Sequence, residues 1–88
     1  MFTGIIEEVG TISRITPSGS GVRITLEAEI VIKDISIGAS IAVNGCCLTV
    51  TEYDNTSWSA DAVPETMSRT NLGTLALGSK VNLERPLK

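Results

Sequence analysis

Apolar and polar residues alternate with a period of two through most of this chain, the spacing of strands that bury one face. The run Val22-Arg23-Ile24-Thr25-Leu26-Glu27-Ala28 alternates without a fault and turns Val22, Ile24, Leu26 and Ala28 inward. Ser57-Trp58-Ser59-Ala60-Asp61-Ala62-Val63 sorts Trp58, Ala60 and Ala62 onto one face and Ser57, Ser59 and Asp61 onto the other. Lys80 to Arg85 alternates again until Pro86 halts it. At the centre, Ser40-Ile41-Ala42-Val43 runs into Asn44-Gly45, and Cys46-Cys47-Leu48-Thr49-Val50-Thr51 leaves it. Asn-Gly between two alternating runs predicts a tight hairpin. Along a regular second strand, Cys47, Thr49 and Thr51 share one face while Cys46, Leu48 and Val50 share the other.

Elsewhere the pattern is less regular. Ile5, Ile6, Val9, Ile12 and Ile15 mark residues 3–16 as one bent strand, with a bulge expected at Gly10. Pro17-Ser18-Gly19-Ser20-Gly21 reads as a flexible connection, residues 29–36 as a short helix or turn, and Asp54-Asn55 as another turn. Pro64 followed by Glu65 predicts a short helix to about Thr70, since proline fits the first helical turn and a carboxylate suits its positive end. The expected fold is all-β: a small closed six-stranded antiparallel β-barrel, Greek-key-like, with one or two short helices, in one domain over residues 1–88.

Composition narrows the function. An apolar fraction of 42% suffices for a core, and no apolar run reaches membrane-spanning length. A net charge of −3 repels a phosphate backbone, so no nucleic-acid partner and no membrane are expected. Phe2, Tyr53 and Trp58 are too few to stack bases along an oligonucleotide-binding barrel. Acidic Glu7 and Glu8 and the lack of a basic first segment argue against a signal peptide, which makes the cytoplasm the expected location. Adjacent Cys46 and Cys47 lie too close for an ordinary disulfide, and with no histidine a metal site is not expected. A thiol beside two hydroxyls at a glycine turn is a plausible pocket lining; the alternative is a buried thiol in an ordinary hairpin.

Five blocks together resemble the riboflavin synthase family, in its order and spacing. They are Met1-Phe2-Thr3-Gly4-Ile5-Ile6, Asn44 to Thr51, Pro64-Glu65-Thr66, Arg69-Thr70-Asn71-Leu72-Gly73 and Val81-Asn82-Leu83-Glu84-Arg85. The resemblance implies the amino-terminal half of an enzyme of two tandem barrels and a carboxy-terminal helix, assembled as a trimer. Such enzymes dismutate two molecules of 6,7-dimethyl-8-ribityllumazine to riboflavin and 5-amino-6-ribitylaminouracil, with each site shared between the first barrel of one subunit and the second barrel of a neighbour. Carried over, it implies that Gly4, Ile5 and Ile6 meet the pteridine ring through backbone groups and an aliphatic wall. Cys47, Leu48 and Thr49 would face the ring and the start of the ribityl chain. Asp61, Ala62, Val63 and Thr66 would hold the remaining hydroxyls, and Phe2 would shield the site from water.

Ser40 and Cys47 are the positions where the resemblance implies chemistry, Cys47 as a nucleophile toward an electrophilic ring. The small-molecule partner is then a pteridine or flavin acting as substrate or product, with no separate cofactor. A second hypothesis is a non-catalytic lumazine- or flavin-carrying module similar to lumazine protein. The isolated chain is expected to self-associate as a homodimer, covering apolar surface meant for a second barrel, and to form a trimer within a two-barrel enzyme.

Overall fold

The computed structural model of the chain describes residues 2–63 and 76–86. Six strands run through them: β1 (Glu8–Ser18), β2 (Gly21–Glu27), β3 (Ser40–Val43), β4 (Cys46–Tyr53), β5 (Ser57–Ala62) and β6 (Lys80–Glu84). They close into a barrel in the order β1-β2-β5-β4-β3-β6, with every neighbouring pair antiparallel. The meander β3-β4-β5 is joined through residues 28–39 to β2, which returns to lie beside β5, as in a Greek key. The all-β barrel is therefore as expected.

Turn chemistry sets the register. Asn44 (φ 49°) and Gly45 (φ 83°) both lie in the left-handed region, giving the type I′ hairpin whose twist matches its strands. Asn44 also ties that hairpin to β6: its N–H donates to the Asn82 carbonyl at 2.8 Å, and its Oδ1 accepts the Asn82 N–H at 2.7 Å. At the β4–β5 turn, Asp54 Oδ1 accepts the N–H groups of Thr56 and Ser57, each at 2.8 Å. Those backbone donors hold the Asp54 carboxyl below its ordinary range.

Several expectations are corrected. β1 begins at Glu8, and residues 3–7 form a separate segment because Gly4 at φ 82° breaks the extended run. β1 also continues through Pro17, which pairs with Val22, so the connection to β2 is only Gly19-Ser20, with Gly19 at φ 61°. Pro17 is tolerated because the β6 ladder covers only residues 8–11 of β1, and the missing N–H breaks no bond on that side. The β1 bulge falls between Ile12 and Arg14, not at Gly10. Gly10 instead marks a close approach, where an added Cβ would meet Leu83 Cδ1 at 2.6 Å and the Glu27 carbonyl at 2.9 Å. Residues 31–34 are turns, with no helix among the described residues; the helix expected over 64–70 lies outside them.

Trp58, Leu26, Val31 and Leu83 are fully buried, packed with Ile12, Ile24, Ile41, Val43, Val50 and Val81 at the barrel axis. Trp58 Nε1 has no hydrogen-bond partner among the described residues, so the ring is held by packing alone. The barrel ends are tied by carboxylates. Glu8 accepts the N–H groups of Glu29, Ile30 and Val31 at 2.9, 2.8 and 2.8 Å, which fixes the start of the β2–β3 connection. Glu7 accepts both Arg85 Nε at 3.0 Å and Arg85 Nη2 at 2.7 Å, and Arg85 also reaches Asp34 at 3.6 Å.

Replacing Trp58 with alanine is expected to cost about 3–5 kcal/mol in urea unfolding, through lost burial and the cavity left behind. The Arg85 guanidinium hydrogen-bonded to Glu7 holds its carboxyl below the ordinary range, opposed by partial burial. A depressed carboxyl contributes stability that is present above its unfolded pKa and lost as pH falls through its folded one. Arg85→Met should therefore lower the urea midpoint at pH 7, and the gap from the unaltered chain should narrow as the pH is taken down to about 3.

Candidate functional site

The interior is packed with buried apolar side chains, so the side chains open to a ligand are those on the outside of the barrel. Ile41 and Val43 of β3 and Leu48 and Val50 of β4 belong to the core, which turns the residues between them outward. Register then groups the outward side chains: Ser40 lies opposite Thr49, and Ala42 lies between Cys47 on β4 and Glu84 on β6. Directly opposed residues in an antiparallel pair bring their Cβ atoms to about 4.5–5.5 Å. Cys47 and Thr49 are exposed and Ser40 is half-buried, so two hydroxyls and a thiol share one open face. Cys46 points the other way and packs against the core; burial, with the neighbouring Cys47, pushes its thiol pKa up.

Ala42 faces outward, yet it is only 5% exposed. Beside it runs the amino-terminal segment, tied to β6 as a strap. Glu84, 8% exposed, anchors that strap: its Oε2 accepts the Thr3 N–H at 2.6 Å and the Thr3 hydroxyl at 2.9 Å, and the Gly4 N–H lies 3.1–3.2 Å from both oxygens. The left-handed φ of Gly4 lets successive N–H groups converge on one carboxylate. Further along, the Glu7 N–H donates to the Leu83 carbonyl at 2.9 Å. Between these fixed points the strap alternates, with Gly4 and Ile6 bordering an open depression of about 580 Å³ with Ala42, Asn44 and Asn82, and Thr3, Ile5 and Glu7 facing Asp34 and Pro86. Ile5 and Ile6 are 69% and 52% exposed, an aliphatic surface with nothing yet against it.

On β5, Asp61 faces outward while Ala60 and Ala62 fill the core. It lies one position beyond the Val50–Ala60 pair, on the flank next to Thr49. Arg23 Nε donates to Asp61 Oδ1 at 2.8 Å and Nη2 to Oδ2 at 3.3 Å, and this pairing holds the carboxyl below its ordinary range. A paired carboxylate still has lone pairs for hydroxyl donors. Arg23, which also reaches Glu52 at 3.7 Å, thus orients Asp61 without saturating it.

The structure therefore brings Gly4 and Ile6 beside Ala42, whose cross-strand neighbour is Cys47; Ser40 and Thr49 form the next outward pair along, and Asp61 flanks Thr49. Half-buried Phe2 leads into the anchored Thr3, and 57%-exposed Val63 follows the end of β5. It does not place the side chains of Leu48 and Ala62 on this face: at 4% and 2% exposure they point into the barrel, leaving only their backbone to offer. The strict period of two forbids Leu48 from sharing a face with Cys47 and Thr49. Thr66 lies outside the described residues. Sequence reasoning missed Ala42, Asn44 and Glu84. Asn44 was visible only as a turn residue, and Glu84 reads as an ordinary outward position on β6. Among the described residues no cluster of histidine, cysteine, aspartate or glutamate could hold a metal ion.

This face can seat a flat heterocycle with a hydroxylated tail. Ala42 and Ile6 offer apolar contact, strap carbonyls can read a ring edge, and Ser40, Thr49 and Asp61 offer groups to hydroxyls. Comparison with known proteins agrees with that chemistry. The chain is 47% identical over 87 residues to riboflavin synthase of Bacillus subtilis (strain 168), a match taking in 99% of the chain and 40% of the relative. It is 46% identical over 92 residues to riboflavin synthase of Saccharomyces cerevisiae, covering 97% of the chain and 39% of the relative. The chain thus spans about 40% of the length of these curated relatives. A crystal structure of LumP complexed with 6,7-dimethyl-8-(1'-D-ribityl) lumazine superposes on all of the chain and 49% of its own, with a TM-score of 0.89 and 28% identity. One of LumP complexed with riboflavin covers 97% of the chain and 46% of its own, with a TM-score of 0.87 and 29% identity. The family described as lumazine binding domain matches residues 3–86, and the chain belongs to it.

Proposed function

We propose that the chain is the amino-terminal, lumazine-binding barrel of a riboflavin synthase, which holds 6,7-dimethyl-8-ribityllumazine or riboflavin and works by dismutation when joined by a second barrel. The observation that carries this reading is the outer face itself: a strap beside Ala42, a free thiol, two hydroxyls and an oriented carboxylate, in a chain nearly half identical to riboflavin synthases along its whole length. In this reading the ring lies against Gly4, Ile6 and Cys47, with Ile5 contributing backbone only, since its side chain faces Asp34 and Pro86, and with Phe2 closing over it. The ribityl hydroxyls bond to Ser40, Thr49, Asp61 and, from the segment after β5, Thr66, while Leu48, Ala62 and Val63 add backbone contact or flanking surface.

The catalytic assignment rests on exposure and neighbours. Cys47 is the exposed thiol of the pair, and its thiolate adds to an electrophilic ring carbon and is later eliminated. Ser40, on the neighbouring strand, donates to or accepts from the reacting ring. Separate cofactors are not needed, because both the donor and the acceptor of the four-carbon unit are lumazines. The cytoplasm is the proposed location; no helix among the described residues is long and apolar enough to cross a membrane. The exposed isoleucines Ile5 and Ile6, with Val9 at 60% and Val63 at 57%, favour a homodimer of the isolated chain, and a trimer where two barrels are joined.

Titration with riboflavin and with 6,7-dimethyl-8-ribityllumazine, read by ligand fluorescence, should saturate at one ligand per chain; a linear response into the millimolar range would sink the proposal. Supplying a carboxy-terminal barrel and lumazine should then generate riboflavin absorbance, whereas saturable binding without that absorbance would favour the carrier reading. Sedimentation at tens of micromolar should give a dimer, and a monomer there would remove the case for self-association.

A further inference from the structure

Glu84 borders the depression where the ligand is proposed to sit, beside Ala42, yet its carboxylate is taken up by the strap, and it is the most buried charged side chain among the described residues. Its carboxylate is exposed to little water and accepts from two consecutive backbone N–H groups and one hydroxyl, all from residues eighty positions away. A charged acceptor buried against three donors is kept in place by strong hydrogen bonds, and removing it strands those donors. The donors belong to Thr3 and Gly4, flanked by Phe2 and Ile5 of the strap. Beyond them Glu7 is held by Arg85, the residue next to Glu84, so neighbouring side chains grip the strap at two points. Glu84 holds the Thr3–Gly4 end of the strap, where Gly4 borders the depression beside Ala42.

We infer that Glu84 is a positioning residue: it fixes Thr3 and Gly4 so that Gly4 and Ile6 stand at the edge of the depression beside Ala42 before the ligand arrives. The inference rests on the ligand site proposed above. An anchored strap meets the ligand without ordering a free terminus at the moment of binding, and that saved entropy appears as affinity. The anchor works through carboxylate geometry as well as charge. A glutamine keeps one acceptor oxygen at the same length and puts an N–H₂ group, itself a donor, where the second oxygen faces Gly4.

The test compares the unaltered chain with Glu84→Gln, Glu84→Ala, a form lacking residues 1–4, and that form carrying Glu84→Ala. Riboflavin affinity should fall by about tenfold or more in Glu84→Ala and by less in Glu84→Gln, which corresponds to loss of one to two good hydrogen bonds' worth of positioning. In the truncated form Glu84→Ala should cost nothing further, because the residue then has no strap to hold. Trp58 emission reports folding in every form. An equal loss of affinity from Glu84→Ala with and without residues 1–4, or no loss in the full chain, would overturn the inference. The amide protons of Thr3 and Gly4 supply a reading that needs no ligand. By NMR they should lie downfield and exchange slowly in the unaltered chain and lose both properties in Glu84→Ala; unchanged amides would also overturn it. A full chain that binds no flavin overturns the functional reading instead, and the amides then still decide whether Glu84 is the anchor.

Discussion

Closure of six short strands around Trp58 governs where everything else can go. A barrel this small has an interior wide enough for side chains and nothing more, and here Trp58 with leucine, isoleucine and valine fills it. Side chains that carry chemistry are thereby driven to the outer face, where the alternation of each strand delivers them in fixed rows. Ser40 beside Thr49 and Ala42 beside Cys47 follow from the same register that puts Ile41, Val43, Leu48 and Val50 inside. A slip of one residue in the β3–β4 hairpin would bury the thiol and expose the core. The left-handed pair Asn44-Gly45 guards against that slip, and the two backbone-length bonds from Asn44 to Asn82 lock the hairpin to β6.

Closure solves the edge problem for strands but not for the segments that join or precede them. Their backbone groups find partners in carboxylates: Glu8 for residues 29–31, Asp54 for the β4–β5 turn, Glu84 for Thr3 and Gly4. A carboxylate offers about four lone-pair directions and so can gather several N–H groups that no strand is placed to meet. The acidic balance of the chain, surplus to any salt-bridge requirement, is partly explained by this use. Glu7 and Asp61 differ in pairing with arginines, and in both the partner's guanidinium sets the direction of the carboxyl's pKa.

Much of this was legible in the alternation. β2, β4, β5 and β6 fall where the period of two puts them, and the Asn44-Gly45 turn follows from dipeptide chemistry alone. What alternation hides is anything decided by a distant partner. The break before Glu8 depends on Gly4 turning toward Glu84, and the bulge between Ile12 and Arg14 depends on how β1 divides itself between β2 and β6. Burial of Glu84 comes from the strap, which no local pattern encodes. For the candidate site the residue types were legible, while their faces were only partly so: Leu48 and Ala62 fall inside by the very periodicity that puts Thr49 and Asp61 outside. The family resemblance pointed to positions in the chain, and geometry separates those that offer side chains from those that offer only backbone.

The proposed binding face, lying on the outside of a filled barrel, has a further physical consequence. Tight sites for drug-sized molecules bury most of the ligand's surface, roughly 70–90%. An open depression bounded by one strap and one row of strands covers a single side of a flat ring, so the other side needs a second surface. Ile6 of the strap, 52% exposed, is an apolar group at the rim of the face, and Ile5, 69% exposed, stands on the strap's other side, where such a surface would meet it. Ordering the strap in advance, through Glu84 at one end and Arg85 at the other, makes that rim a fixed edge instead of a mobile tail. In the proposed assembly the same few residues would then have two contacts to satisfy, the ring beneath and the facing barrel beyond, which accounts for so much apolar surface being held rigidly in water.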